Sequence, residues 1–94
     1  MRLNLDEKKA IQEAISDVAG EVYLFGSRVD DHRKGGDVDL LIFSPLDPYL
    51  VSKQISVTFF KHCEEKIDVV VMDPDHLTSA EEAFLNLIQK VRIR

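Results

Sequence analysis

Three short apolar segments constrain the fold of this chain more than any other feature. They comprise residues 21–25, 38–43 and 67–72, and each is rich in β-branched or aromatic side chains. Runs of this length and composition, bounded by glycine, proline or charged residues, are typical of β-strands. The middle run is almost continuously apolar, so we expect that strand to be buried on both faces.

Amphipathic segments lie before and between these predicted strands. Residues 6–19 predict a helix, since Ile11, Ala14, Ile15 and Val18 recur at helical spacing. Asp6 is its predicted N-cap and Gly20 its C-terminal stop. A second helix is predicted from Asp47-Pro48, an N-cap followed by proline at the first helical position, to about Cys63.

A third helix is predicted at the C-terminal end of the chain. The segment Ser79-Ala80-Glu81-Glu82 has the composition of a capping box. The apolar face that follows consists of Ala83, Phe84, Leu87, Ile88 and Val91. The predicted order of elements is therefore α-β-β-α-β-α.

The connections between the strands predict how they pair. The second and third strands are separated by 23 residues that contain a helix, which is long enough for a crossover and favours parallel pairing. The first and second strands are joined by a loop alone, which favours antiparallel pairing. We expect one α/β (α+β) domain over residues 1–94, with a small mixed three-stranded sheet flanked by helices.

The composition excludes several classes of protein. Apolar residues make up 45% and charged residues 31% of the chain, as in an ordinary globular domain. The net charge of −5 argues against tight nonspecific binding of nucleic acid, which needs a basic surface. The lone Cys63 excludes an internal disulfide, and no segment has the ~20 apolar residues that span a bilayer. We expect a cytoplasmic protein that makes no membrane contact.

Acidic residues stand at the start of two of the apolar strands. Asp37 and Asp39 open the second strand and point to the same side of it, because successive side chains of a strand alternate. Two adjacent carboxylates repel each other unless a cation lies between them, and Mg²⁺ is the natural occupant. Asp68 opens the third strand, where it could bind a second metal ion or accept a proton from an attacking hydroxyl.

A Gly26-Ser27-Arg28 turn follows the first strand and, with the predicted pairing, reaches the same end of the sheet as the three carboxylates. Gly26 has no Cβ and so allows the backbone to approach a phosphate. Ser27 offers a hydroxyl and an N–H group to phosphate oxygens, and Arg28 offers a charge-assisted contact. Together these residues predict a site for a nucleotide and its metal ion.

Each of these features also has an ordinary structural interpretation. A Gly-Ser pair after a strand is usually only a turn, Asp-x-Asp is often a solvated strand edge, and Asp68 alone could cap a strand. Arg33 and Lys34 are interpreted as solvated loop charges. His62-Cys63 does not have the spacing of metal ligands, and Cys63 is interpreted as a small apolar residue. The convergence of the three motifs at one sheet end favours the functional interpretation.

The combined pattern resembles the minimal nucleotidyltransferases of the DNA polymerase β-like nucleotidyltransferase superfamily. The family pattern is Gly-Ser, a short loop, Asp-x-Asp and a third Asp on a later strand. Here Gly26-Ser27 is followed by Asp37-Val38-Asp39, and Asp68 lies in the later run Lys66-Ile67-Asp68-Val69. The resemblance covers roughly residues 5–92. The loop between Ser27 and Asp37 holds nine residues, one fewer than is usual in the family.

The resemblance implies an activity and partners. Asp37 and Asp39 would bind Mg²⁺, Asp68 would be the third catalytic carboxylate, and Gly26 and Ser27 would bind the triphosphate of ATP or another nucleoside triphosphate. An acceptor hydroxyl would attack the α-phosphorus and release pyrophosphate. Small members of the family commonly act as antitoxins beside an all-helical HEPN toxin, and some transfer AMP to a tyrosine of that toxin.

Two other functions remain open at this point. The domain could keep the fold but neutralise a partner by binding alone, although the three intact carboxylates argue against that. It could also transfer a nucleotide to a small hydroxylated molecule, although relatives of that kind usually carry an extra helical domain. Val57, Phe59 and Phe60 are expected in the core or in an interface between copies of the chain, so a homo-oligomer is a further expectation.

Overall fold

The computed structural model describes residues 1–94 as three α-helices and four β-strands. In chain order the elements are α1 (Leu5–Ile15), β1 (Val22–Phe25), β2 (Val38–Phe43), α2 (Pro48–His62), β3 (Ile67–Met72), α3 (Ser79–Leu87) and β4 (Lys90–Arg92). The bounds of β2 and β3 are those predicted, α2 ends one residue short of Cys63, and β1 starts one residue later than predicted. None of the helices combines the length and the apolarity that crossing a membrane requires.

The sheet has the strand order β3-β2-β1-β4. As predicted, β1 and β2 are antiparallel, whereas β2 and β3 are parallel and are connected through α2. The C-terminal end of β1 therefore lies beside the N-terminal ends of β2 and β3. The β1–β2 loop (residues 26–37) leaves the sheet at this same end and begins with a short 3-10 turn, Gly26–Val29.

The prediction of a three-stranded sheet was wrong by one strand. The third helix ends at Leu87, and the segment that was expected to continue it forms β4, which pairs antiparallel with β1. Val91 consequently lies beside Leu24 on the neighbouring strand, not on a helix face. The physical reason is that β1 has a free edge, and pairing satisfies its unpaired backbone groups.

Two helix starts differ from the predictions by one or two residues. Asn4, not Asp6, caps α1: its side chain accepts a hydrogen bond from the Glu7 N–H, and the Glu7 carboxylate accepts one from the Asn4 N–H. Thr78, not Ser79, caps α3 in the same reciprocal way. The first helix also ends earlier than predicted, at Ile15, because the residues that follow turn toward Gly20, which has a positive φ of 103°.

The two faces of the sheet are covered unequally. Helices α1 and α2 pack on one face and bury the main core, whose fully enclosed side chains include Leu24, Leu40, Ile42, Ile55 and Phe59. On the other face α3 covers a smaller cluster centred on Phe25, Leu41 and Met72, and no residue of α3 is itself buried. The second face is therefore only partly covered, and it is the face that carries Asp39 and Asp68.

Candidate nucleotide and metal site

The register of the sheet brings the predicted carboxylates together. Phe25 of β1, Asp39 of β2 and Asp68 of β3 lie side by side in one row across three strands. Neighbouring strands are about 4.8 Å apart, and register partners point to the same face, so Asp39 and Asp68 are adjacent. Asp37 precedes Asp39 by two residues and lies on the same side. Three negative charges thus converge at one end of the less covered face.

The environment of Asp39 disfavours its charged form. Burial, followed by the nearby charges of Asp68 and then Asp37, raises the pKa of the Asp39 carboxyl above its usual value. All three effects disfavour the charged form. A positive charge placed among the carboxylates would relieve this cost, so the electrostatics of the site favour a bound cation.

Lys66 is a residue of this site that the sequence interpretation missed. Its Nζ lies 3.6 Å from Oδ2 of Asp37, and both side chains are substantially exposed. Exposed pairs of this kind contribute little to stability. Lys66 therefore offsets part of the negative charge at Asp37.

Gly26 lies directly against the carboxylate of Asp39. Its φ is +76°, and a Cβ built on this residue would lie 2.4 Å from Oδ2 of Asp39. The absence of a side chain is thus needed for two reasons: the left-handed backbone favours glycine, and any Cβ would displace the acidic group. The turn and the Asp-x-Asp motif are one structural unit.

Ser27 and Gly36 form a second close contact, between the start and the end of the β1–β2 loop. Gly36 has a φ of +90°, and a Cβ there would lie 2.1 Å from Oγ of Ser27. The loop therefore folds back on itself, and its last glycine allows the hydroxyl of Ser27 to remain in place. The contact keeps Ser27 next to the residues that lead into Asp37.

Arg28 pairs with Glu7 inside the protein, which argues against the expectation that it binds phosphate oxygens. Its side chain is buried, and all three of its guanidinium nitrogens are engaged within the protein. Nε donates to the Gly36 carbonyl at 2.9 Å, Nη1 donates to the Arg2 carbonyl and to Oε1 of Glu7, and Nη2 lies 2.8 Å from Oε2 of Glu7. Four of the five N–H groups of Arg28 are therefore engaged within the protein.

The carboxylates fit a metal ion whose coordination is completed by a ligand. No group of three or more His, Cys, Asp and Glu side chains stands close enough to bind a metal ion unaided. Magnesium in proteins usually takes only one or two carboxylates, with substrate phosphates and water as its other ligands. Asp37 and Asp39 would supply those two. The three aspartates line none of the cavities of the molecule.

Two further residues that sequence reasoning missed, Glu7 and Arg2, lie behind the β1–β2 loop. Glu7 is only 1% exposed, and an acid at an inward-facing position of an amphipathic helix is the signal that could have revealed it. Arg2 carries no comparable signal, because its contacts are with backbone carbonyls more than 20 residues away along the chain.

Comparison with known proteins places these features in a family. No match was found among curated proteins. The family model for the nucleotidyltransferase domain matches residues 7–91 of the 94 residues. The matched region runs from α1 into β4 and contains the glycine-serine turn and all three aspartates. Because the match covers nearly the whole sequence, this chain belongs to the nucleotidyltransferase domain family.

Proposed function

We propose that this chain transfers a nucleoside monophosphate, preferably AMP from ATP, to a hydroxyl group of a helical partner protein in a Mg²⁺-dependent reaction. Nucleotidyltransferases of this family generally use Mg²⁺ and a nucleoside triphosphate. The observation that carries the proposal is the adjacency of Asp39 and Asp68 in register, with Asp37 on the same side and Gly26 against Asp39.

The residues have distinct tasks in the proposed reaction. The acceptor oxygen forms a bond to the α-phosphorus while the bond from that phosphorus to the pyrophosphate oxygen breaks, and pyrophosphate leaves with the electron pair. Asp68 takes the proton of the acceptor hydroxyl. Asp37 and Asp39 hold the metal ion, which when bound supplies positive charge that offsets the charge of the phosphates. Gly26 and Ser27 orient the triphosphate, so positioning and electrostatics provide most of the acceleration.

The open position of the carboxylates supports a large acceptor. These aspartates lie outside the cavities of the molecule, so an acceptor hydroxyl on the surface of another protein can approach a nucleotide bound to them. The net charge of −5 disfavours a nucleic-acid acceptor. A hydroxyl on the surface of another protein suits an open, acidic, metal-dependent site better than either alternative.

The outer side of α2 supports a protein partner as well. Four large apolar side chains point to solvent from one side of this helix, each between 48% and 68% exposed: Tyr49, Leu50, Val57 and Phe60. We call this surface the α2 stripe. Lys53 lies among these residues, with its Nζ 5.9 Å from the centre of the Tyr49 ring, so the α2 stripe is a row of apolar side chains interrupted by one charge. Exposed apolar side chains on one side of a helix can pack against another helix. We therefore propose an all-helical partner, of the HEPN toxin type, with this chain as its antitoxin.

Mass spectrometry of the partner tests the proposal. The chain is incubated with ATP, Mg²⁺ and the protein encoded by the neighbouring gene, and the partner is then examined for the mass of an added AMP group. The mass shift is expected with the wild-type chain and absent with Asp39→Asn. Neutralisation of the partner without any mass shift would favour inhibition by binding alone, and turnover of ATP on small hydroxylated molecules instead would favour the small-molecule activity.

A further inference from the structure

Arg2 joins the two ends of the β1–β2 loop from behind. Its Nη2 donates to the Ser27 carbonyl at 2.8 Å and to the Gly35 carbonyl at 3.0 Å, so one nitrogen bridges residues at the start and the end of the loop. Its Nε donates to the Asp30 carbonyl at 2.7 Å, in the middle of the loop. All three bonds are charge-assisted, and such bonds are stronger than those between neutral groups.

Arg28 reinforces the same closure from inside the protein. It donates to the carbonyl of Gly36, the residue whose missing side chain leaves room for the hydroxyl of Ser27. It also donates to the carbonyl of Arg2, which links the two arginines. Behind it lies Glu7, which is almost fully buried and whose Oε2 has only the ion-pair contact with Arg28.

The energetics of the Glu7–Arg28 pair indicate a role in positioning. Buried ion pairs are rarely more stabilising than apolar residues of similar volume, because both charges lose their hydration. An apolar pair would fill the same space between α1 and the loop, but it could not donate to the carbonyls of Gly36 and Arg2. The charged pair thus supplies directional contacts to the loop that a hydrophobic replacement lacks.

We propose that Arg2 and Arg28 are positioning residues that hold the β1–β2 loop closed, so that Ser27 is fixed in the orientation that binds the triphosphate. The inference rests on the proposed function, in which Ser27 contacts the phosphates. Neither arginine touches the nucleotide. Their effect is transmitted through the carbonyls of Ser27, Gly35 and Gly36.

Arg94 provides a matched control at the other end of the sheet. Its guanidinium also donates to three backbone carbonyls, those of Ile15, Val18 and Gly20, and it holds the segment that follows α1. Gly20 precedes β1, whereas the β1–β2 loop follows that strand. Arg94→Gln therefore removes a similar set of bonds and is expected to lower stability without changing the loop.

The test compares Arg28→Lys, Arg2→Gln and Arg94→Gln with the wild type, at a temperature well below the melting point of each. Limited trypsin digestion of the isolated protein reports on the loop, because Arg33 and Lys34 are exposed cleavage sites within it. Mass spectrometry identifies the cut. Titration with ATP and Mg²⁺ gives the Kd, and transfer assays give KM and kcat separately.

We expect faster cleavage after Arg33 or Lys34 in Arg28→Lys and Arg2→Gln, with the rate unchanged in Arg94→Gln. The Kd and KM for ATP should rise about tenfold in the first two variants, which corresponds to the loss of about one charge-assisted bond, while kcat falls less. We expect this loss even though lysine keeps the positive charge at position 28, because lysine lacks the planar guanidinium that reaches several acceptors at once. Arg2 is only partly buried, so Arg2→Gln tests the inference even if position 28 does not tolerate substitution.

Equal cleavage rates in all three variants would overturn the inference, as would an unchanged Kd for ATP in variants whose loop is cleaved faster. A wild-type chain that binds no nucleotide would instead refute the proposed function. In that case the digestion alone decides whether the arginines hold the loop: faster cleavage in Arg28→Lys and Arg2→Gln supports this, and unchanged cleavage refutes it.

Discussion

Gly26→Ala separates the chemistry of the site from the stability of the fold. The new Cβ would lie 2.4 Å from Oδ2 of Asp39, which is far inside van der Waals contact. The atom that must yield is the end of an acidic side chain, so the fold can accommodate the methyl group by moving that carboxylate. The substitution should therefore displace a proposed metal ligand without dismantling the sheet.

Gly35→Ala supplies the matched control. Gly35 has a similar backbone conformation, with φ of +67° against +76° at Gly26, but a Cβ there would meet nothing within 4 Å. Both variants carry the strain of a left-handed alanine, about 1–2 kcal/mol. In a domain of this size each kcal/mol lowers Tm by about 4–8 °C. Only Gly26→Ala also displaces Asp39, so its binding defect should exceed that of the control.

The expected difference is large enough to measure by calorimetry. Both variants should melt at similar temperatures, below the wild type. Gly35→Ala should bind ATP with Mg²⁺ within a few-fold of the wild type, whereas Gly26→Ala should bind at least 10–100-fold more weakly, the loss typical when groups that orient metal ligands are disturbed. Equal affinities for the two variants, at equal stability, would refute the claim that Gly26 holds the Asp39 carboxylate in place.

Four further outcomes follow from particular residues. Asp39→Asn should abolish Mg²⁺-dependent ATP binding yet raise Tm in the absence of metal, because it removes charge repulsion; calorimetry and melting curves check both halves. Asp68→Asn should lower the rate of AMP transfer by about 10²–10⁴ if Asp68 is the general base, and should leave the Kd for ATP within a few-fold; equal losses in rate and affinity would contradict this role. Glu7→Gln should cost about 1.5–3 kcal/mol at neutral pH through the weakened bond to Arg28. Burial raises the pKa of Glu7, but the hydrogen bonds and charges around it, chiefly those of Arg28, outweigh burial, so the net pKa lies below the ordinary 4.5. The stability that the charged carboxylate contributes is therefore present above pH 4.5, and the difference between Glu7→Gln and the wild type should shrink as the pH falls through the lowered pKa. Denaturation at several pH values tests this direction. Phe60→Glu should weaken pull-down of the helical partner and leave ATP binding unchanged, and equal capture of the partner would exclude the α2 stripe as the interface.

Local signals were sufficient to predict most of the secondary structure. The bounds of β2 and β3 follow from apolar runs, and α2 follows from Asp47, whose side chain accepts hydrogen bonds from the Tyr49 and Leu50 N–H groups. The N-caps of α1 and α3 were misplaced because several neighbouring residues there can cap a helix. Strand β4 was missed since its three residues are all exposed, and since Val91 also fits the helical spacing of Phe84, Leu87 and Ile88. Two features of the folded protein favour it: the free edge of β1, and the packing of Ile93, directly after β4, against the main core.

The direction of Arg28 could not be predicted for a related reason. An arginine after a Gly-Ser turn is compatible with a phosphate contact as far as local sequence can tell. Its actual partner, Glu7, lies 21 residues earlier in the chain, and the two meet only once α1 has packed beside the loop. A buried acid on α1 needs a cation, and Arg28 is the cation that the topology delivers.

The positions of Asp39 and Asp68, by contrast, are determined by the same pattern that determines the core. Val38, Leu40 and Ile42 are fully buried beneath α1 and α2, so Asp39 must point to the opposite face. A slip of β2 by one residue would place Asp39 in that core and move the three apolar side chains to the less covered face, a cost that the observed register avoids. The same argument applies to Asp68, which lies next to the buried Ile67. The hydrophobic alternation that specifies the sheet therefore also specifies which carboxylates meet, and that is why a site assembled from three distant segments could be inferred from their sequence.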